Sequence, residues 1–170
     1  MTNYIDCSDP AVKRKINNII KKLRQGVEIG GKMAIKNLLY NEGYVDLLIA
    51  TCLGHKYNIG TQGADALDKH NNPVEYKCVA KKEDKYTGSF QFHWLSKNKV
   101  KKYRKCSHFY FAWRDGFEVE KIIRVKQKVL MNQIIRKKGR KGSTAGHKSF
   151  GCKFIEDLVE KKKARIVYSG

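Results

Sequence analysis

Three charged side chains stand out in the stretch GADALDKHNNPVEYK, residues 63–77. Asp65 precedes the polar turn DKHNN, and Glu75 and Lys77 follow it. If the segments on either side of the turn form a hairpin centred near His70, Asp65 lies across from Glu75. Alternate residues of a strand share a face, so Lys77 points the same way as Glu75. The spacing therefore predicts that two carboxylates and one ammonium meet at one place.

This combination of charges suits metal-assisted hydrolysis of a phosphodiester. Two close carboxylates resist joint ionisation unless a cation lies between them, and carboxylate and substrate oxygens are ligands that suit Mg²⁺. The metal would polarise the phosphate and lower the pKa of a bound water, while Lys77 would stabilise the developing negative charge. The alternative is that Glu75 and Lys77 form an ordinary surface pair and Asp65 is a turn residue, because this spacing also arises by chance.

The charge balance of the chain points to a polyanionic partner. Its 170 residues suffice for one domain with a core, and 36 Lys and Arg against 16 acids give a net charge of +20. Nucleic acid is the first expectation, and an anionic membrane surface is the second. The polar opening MTNYIDCSDP and the short apolar runs predict no secretory leader and no membrane span. The unpatterned cysteines indicate reduced thiols, so a cytoplasmic location is expected.

Helices are predicted in the first third of the chain. The stretch SDPAVKRKINNIIKKLRQG predicts an amphipathic helix that ends at Gly26. KMAIKNLLY and YVDLLIATCLG predict two more helices, the second closed by Gly54. The apolar stripe of the first helix consists of Val12, Ile16, Ile19, Ile20 and Leu23.

Strand patterns dominate from Tyr57 onward. GADAL and PVEYKCVA predict one hairpin, HFYFAWRDGFEVEKIIRV predicts another, and GSFQFHW alternates like a single strand. LSKNKVKKYRK is a basic helical stretch, residues 136–151 read as a basic loop, and CKFIEDLVEKKKARIVY resumes regular structure. This order of elements predicts an α+β fold around one sheet.

The ordered stretches GADALDKHNNPVEYK, GSFQFHWLS, KKYRK and HFYFAWRDGFEVEKIIRV resemble the PD-(D/E)xK nuclease superfamily. They are most similar to the PvuII family of type II restriction endonucleases. The resemblance implies a restriction-endonuclease-like fold, in which helices flank a mixed central sheet. It also implies a Mg²⁺-dependent homodimer that cuts both strands of duplex DNA within a short palindromic site. A companion DNA methyltransferase is expected by the same analogy.

One domain of three regions is expected. Residues 1–54 would form a helical dimerisation region, because the sheet and the basic loops must face DNA. Residues 55–125 would form the catalytic sheet and recognition strand, and residues 126–170 a basic loop with a C-terminal DNA-contacting segment.

The resemblance also assigns roles to single residues. Asp65, Glu75 and Lys77 fall on the catalytic triad, with Asp65 and Glu75 on the metal. Tyr103 falls on a tyrosine near the scissile phosphate. Gln62 stands where the family has an acidic residue, and Trp94 stands where it has a second recognition histidine.

Base reading is expected from the strand that holds His93. The resemblance places His93 on a histidine that reaches base edges, although a satisfied histidine at a sheet surface is the plainer interpretation. Gln91 lies on the same strand face and could read adenine. His147 is the best match for a further base-reading position. Phosphate contacts are expected from Lys101, Lys102, Arg104, Arg140 and Lys141.

Two other functions stay open at this point. A structure-specific nuclease, such as a junction resolvase or a repair enzyme, could use the same triad. A non-catalytic basic protein that binds DNA or RNA would show steeply salt-dependent binding and no cleavage. The converging acids disfavour the second alternative, because carboxylates that face phosphate do not help a protein that only binds.

Overall fold

The computed structural model describes residues 10–35, 38–39, 43–59, 63–135 and 146–170. The chain divides into two compact units, Met1–Gly43 and Tyr44–Gly170. Helix α1 (Pro10–Lys32) belongs to the first unit, and α2 (Gly43–Leu53) begins at the boundary. Among the described residues, no helix is both long enough and apolar enough to cross a membrane.

Helix α1 is amphipathic as predicted, but its predicted end at Gly26 is wrong. The helix continues to Lys32 and ends in a Schellman arrangement, in which Ala34 adopts a φ of 60°. The Ile35 N–H donates to the Gly30 carbonyl at 2.9 Å, and the Ala34 N–H donates to the Gly31 carbonyl at 3.0 Å. This cap stops the chain from continuing as a helix. The helix predicted for KMAIKNLLY is therefore wrong over its described residues 33–35 and 38–39.

The second unit holds a mixed sheet of six strands and a smaller sheet of two. The large sheet has the order β1-β2-β3-β5-β6-β8, in which only β3 and β5 pair in parallel, and β4 pairs with β7. The described residues combine five helices with a mixed sheet, so the predicted α+β class is confirmed. The elements after α2 are β1 (Lys56–Tyr57), β2 (Ala66–Leu67), β3 (Pro73–Ala80), β4 (Ser89–Phe92), α3 (Lys97–Lys105), β5 (His108–Asp115), β6 (Glu118–Lys126), α4 (Gln127–Ile135), β7 (Lys148–Gly151), α5 (Cys152–Glu160) and β8 (Ala164–Ser169).

Both predicted hairpins are present. In the first, Ala66 pairs with Val74 and Leu67 with Pro73, which centres the turn on His70. Asp68 fixes this turn, because its Oδ1 accepts hydrogen bonds from the backbone N–H groups of His70 and Asn72, each at 2.9 Å. In the second hairpin, β5 and β6 pair antiparallel around residues 116–117.

Each face of the large sheet covers its own apolar core. One core contains the buried rings of Phe90, Phe109 and Phe111. The other lies between α2 and the opposite face of the strands, where Ile49 and Tyr76 are buried. Alternation along β3 therefore directs odd-numbered side chains toward the first core and even-numbered ones toward the second.

Part of the predicted basic loop is a strand. Residues 136–145 lie outside the described residues, but Lys148–Gly151 form β7. Phe150 pairs with Phe90 on β4 and is buried in the first core. This burial gives the segment a fixed place on the fold, which its Gly and Lys content did not suggest.

Candidate active site

The first hairpin brings the three predicted charged groups together. Asp65 stands just before β2 opposite Glu75, and its Oδ2 accepts a hydrogen bond from the Tyr76 N–H at 2.8 Å. Lys77 Nζ donates to Glu75 Oε1 at 2.9 Å and to the Tyr76 carbonyl at 2.8 Å. The hairpin register thus positions two carboxylates and one ammonium at the same edge of the sheet.

A second lysine reaches this group from α3. Lys102 Nζ lies 3.2 Å from Glu75 Oε2 and 3.7 Å from Asp65 Oδ1. The helix that carries it begins at Ser96, whose side chain caps the N–H of Lys99 at 3.2 Å. From sequence, Lys102 is predicted only as a phosphate contact, because nothing in the basic run distinguishes it from its neighbours.

Burial and charge set the protonation of the two carboxylates differently. Burial and the neighbouring Glu75 raise the pKa of Asp65. Burial alone would also raise the pKa of Glu75, but Lys77 and Lys102 outweigh it and lower that pKa. Burial alone would lower the pKa of Lys77, but Glu75 and Asp65 outweigh it and raise that pKa. Glu75 and Lys77 are therefore a firmly ionised pair, and Asp65 gains most from an added cation.

The donor set suits a hard divalent cation. Glu75 is 3% exposed, and its Oε2 has no geometrically aligned hydrogen-bond partner among the described residues, although Lys102 Nζ lies 3.2 Å away. Asp65 Oδ2 accepts the backbone hydrogen bond from Tyr76, and Asp65 Oδ1 lies near the ammonium of Lys102. No group of three or more His, Cys, Asp or Glu side chains among the described residues could hold a metal. Waters and substrate oxygens would have to complete the shell, as Mg²⁺ commonly requires.

Tyr103 lies beside the three charged side chains, but it is buried in the core and not exposed at the protein surface. The side chain is fully buried, and its hydroxyl has no hydrogen-bond partner among the described residues. Lys77 Nζ sits 5.9 Å from the centre of its ring and 5.4 Å from that of Phe92. The ring therefore supports the ammonium through a cation–π contact, whereas the predicted role of the hydroxyl near the phosphate stays a prediction.

The small sheet brings two predicted recognition residues together. His93 follows β4 and His147 precedes β7, and their Nδ1 atoms lie 2.9 Å apart although the residues are far apart in sequence. Both side chains are exposed, and each ring has a second nitrogen that can donate or accept a hydrogen bond. Gln91 is exposed on the same strand and donates to Ser89 Oγ at 2.6 Å.

Trp94 is a surface feature that the sequence marks only as a replacement for a second recognition histidine. Its side chain is 71% exposed, its φ of 51° is left-handed, and its ring centre lies 5.1 Å from that of His147. A left-handed φ is uncommon for so bulky a side chain, so the backbone at Trp94 is locally strained. Its only sequence signal is its position next to His93.

A cavity of about 400 Å³ lies beside α3, and its wall includes Lys102, which contacts both carboxylates, and Ala64, which precedes Asp65. Lys101 also lines this cavity, and Arg104 is exposed on the same helix. Arg140 and Lys141 lie outside the described residues, as does Gln62.

Comparison with known proteins gives one family. The family model described as restriction endonuclease PvuII matches residues 11–162, a range that includes both hairpins, α3 and the small sheet. No curated protein matches the chain. The matched range agrees with the mixed sheet and its flanking helices, so the predicted restriction-endonuclease-like fold is confirmed.

Proposed function

Because the chain belongs to the PvuII family of restriction endonucleases, we propose that it cuts both strands of duplex DNA within a short palindromic site as a Mg²⁺-dependent homodimer. The observation that carries the proposal is that Asp65, Glu75 and Lys77 meet beside a basic helix. We call these three residues the hairpin edge. A protein that only bound DNA would gain nothing from two buried acids facing phosphate.

Each group of the hairpin edge has a part in this reaction. Asp65 Oδ1 and Glu75 Oε2 would hold the metal, which when bound polarises the scissile phosphate. Lys77 donates two hydrogen bonds within the site, to Glu75 and to the Tyr76 carbonyl. Its third N–H is then directed to the attacking water or to the charged transition state.

DNA contacts divide into positioning and reading. The exposed side chains of Lys101 and Arg104 suit phosphate contacts, which position the duplex without reading sequence. The paired His93 and His147, with Gln91 nearby, suit contacts to base edges. Arg140 and Lys141 are proposed to add phosphate contacts.

The homodimer is supported by α1. The side chains of Ile19, Leu23 and Val27 are exposed along one stripe of this helix, and such a stripe is stabilised when a second copy covers it. A two-fold dimer also matches a palindromic site. The proposed setting is the cytoplasm, together with a methyltransferase that protects the same sequence.

Digestion of a plasmid with Mg²⁺ tests the proposal. We expect discrete fragments whose mapped ends are related by two-fold symmetry, and no product when EDTA removes the metal. Cutting only at branches or lesions would instead favour a structure-specific nuclease. Tight binding without product in any divalent metal would favour a non-catalytic protein.

Trp94 offers an independent test of where DNA binds. The chain has two tryptophans, and Trp113 is 1% exposed in the core. We therefore expect duplex DNA to quench and shift the emission of Trp94 alone, because stacking or contact with a base changes its solvent exposure. The Trp94→Phe variant should lose the fluorescence change but still bind DNA in a gel-shift assay. An equal change in this variant would contradict the placement.

A further inference from the structure

The two lysines at the carboxylates differ in how firmly they are held. Lys77 Nζ has two hydrogen bonds and lies over two aromatic rings, and its side chain is 17% exposed. Among the described residues, Lys102 contacts the site through two ion pairs, the longer of them 3.7 Å, and its side chain is 33% exposed. Lys77 is therefore a fixed part of the site, whereas Lys102 can leave it at little cost.

Lys102 also contacts the two oxygens that are otherwise free. In the described part of the chain, Glu75 Oε2 has no aligned hydrogen-bond partner, and Asp65 uses its other oxygen for the Tyr76 N–H. A divalent ion held by Asp65 and Glu75 would need the space between these oxygens that the Lys102 ammonium now occupies. An ammonium in contact with both oxygens cannot keep that place at the same time, because it would meet the ion's charge at short range.

Resting on the function proposed above, we propose that Lys102 holds the cation position between Asp65 and Glu75 in the metal-free enzyme, that Mg²⁺ binds by displacing it, and that the released ammonium then contacts a DNA phosphate. Lys102 neutralises the two acids until the metal arrives, so the site stays assembled without it. The side chain is a flexible, strongly hydrated ammonium on a four-carbon stem. After displacement it can turn into the adjoining cavity, whose wall it already forms.

Metal titration without DNA tests the competition. Lys102→Met removes the competing ammonium while keeping the aliphatic stem and a good helix former. We expect it to bind Mg²⁺ about five- to tenfold more tightly than wild type by calorimetry, the scale of a partly exposed ion pair. Lys101→Met is the matched control for net charge, because Lys101 is exposed on the same helix and has no ion pair among the described residues. It should change the affinity by less than about twofold.

Amine labelling of the wild-type protein gives a second measurement that needs no variant. Mg²⁺ should increase the reductive methylation of Lys102 several-fold by peptide mass spectrometry, while Lys77 stays protected. The displacement would be overturned if Lys102→Met and Lys101→Met bound Mg²⁺ with equal affinity, or if Mg²⁺ did not change the labelling of Lys102. Neither result would contradict the proposed nuclease function. If neither wild type nor Lys102→Met binds Mg²⁺, the result would contradict the proposed metal-dependent function and, with it, the proposed role of Lys102.

Discussion

Lys77→Met is expected to cut DNA at least about a thousandfold more slowly than wild type while binding the duplex with similar affinity. The ammonium is fixed by Glu75 Oε1 and the Tyr76 carbonyl and rests on the rings of Phe92 and Tyr103. Such a preorganised charge stabilises the transition state more than the ground state. Methionine fills the same space but leaves the developing charge without a donor.

The control for this variant lies at the end of the same strand. Lys81 follows β3 and forms ion pairs with Glu120 at 3.0 Å and Asp115 at 3.5 Å, outside the site. Lys81→Met makes the same chemical change and should keep cleavage within about twofold. Single-turnover cleavage and gel-shift binding should be measured for both variants, together with urea unfolding, since Lys77→Met also removes a partner of the buried Glu75. Near-normal cleavage by a folded Lys77→Met would remove Lys77 from the mechanism.

The hairpin edge could be predicted from sequence because its geometry is local. The turn DKHNN fixes the register between β2 and β3 through Asp68, and a fixed register places Asp65 opposite Glu75. Period-two alternation then decides which face Lys77 occupies. Every step uses residues that are neighbours along the chain.

The contacts that could not be predicted from the sequence all join segments that are distant along the chain. Lys102 is one of several lysines on α3, and only the packing of that helix turns this one toward Glu75. The contact between His93 and His147 depends on the pairing of β4 with β7, which no local pattern encodes. The end of α1 was misjudged for another reason, since a helix can pass Gly26 at a cost of about 1 kcal/mol when its cap lies further on.

The raised pKa of Asp65 sets the stability of the metal-free fold against the ionised carboxylate that a metal would need. Burial and the neighbouring Glu75 raise the pKa of Asp65, so its ionised form destabilises the metal-free fold. The protonated form predominates below that raised pKa, and the stability is lost as the pH rises through it. The carboxylate that the metal would need is thus one that the fold alone disfavours.

Asp65→Asn should therefore be inactive yet more stable than wild type without metal. Its amide oxygen can still accept the Tyr76 N–H bond that Asp65 Oδ2 accepts at 2.8 Å, and the repulsion toward Glu75 disappears. We expect weaker Mg²⁺ binding and a loss of cleavage of about a thousandfold or more. The gain in unfolding free energy should grow as the pH rises from acid to neutral, because only wild type then acquires the unfavourable charge.

Asp68→Asn is the matched control, and we expect it to lower the unfolding free energy while cleavage persists. Asp68 holds the same hairpin turn through backbone N–H groups, and those hydrogen bonds lower its pKa although burial opposes them. Its carboxylate faces the turn and not the Glu75–Lys77 pair, so cleavage should persist while unfolding free energy falls by about 1 kcal/mol. Urea unfolding and single-turnover cleavage of both variants separate the roles of the two acids. A destabilised Asp65→Asn that still cuts DNA would show that this carboxylate serves the fold and not the metal.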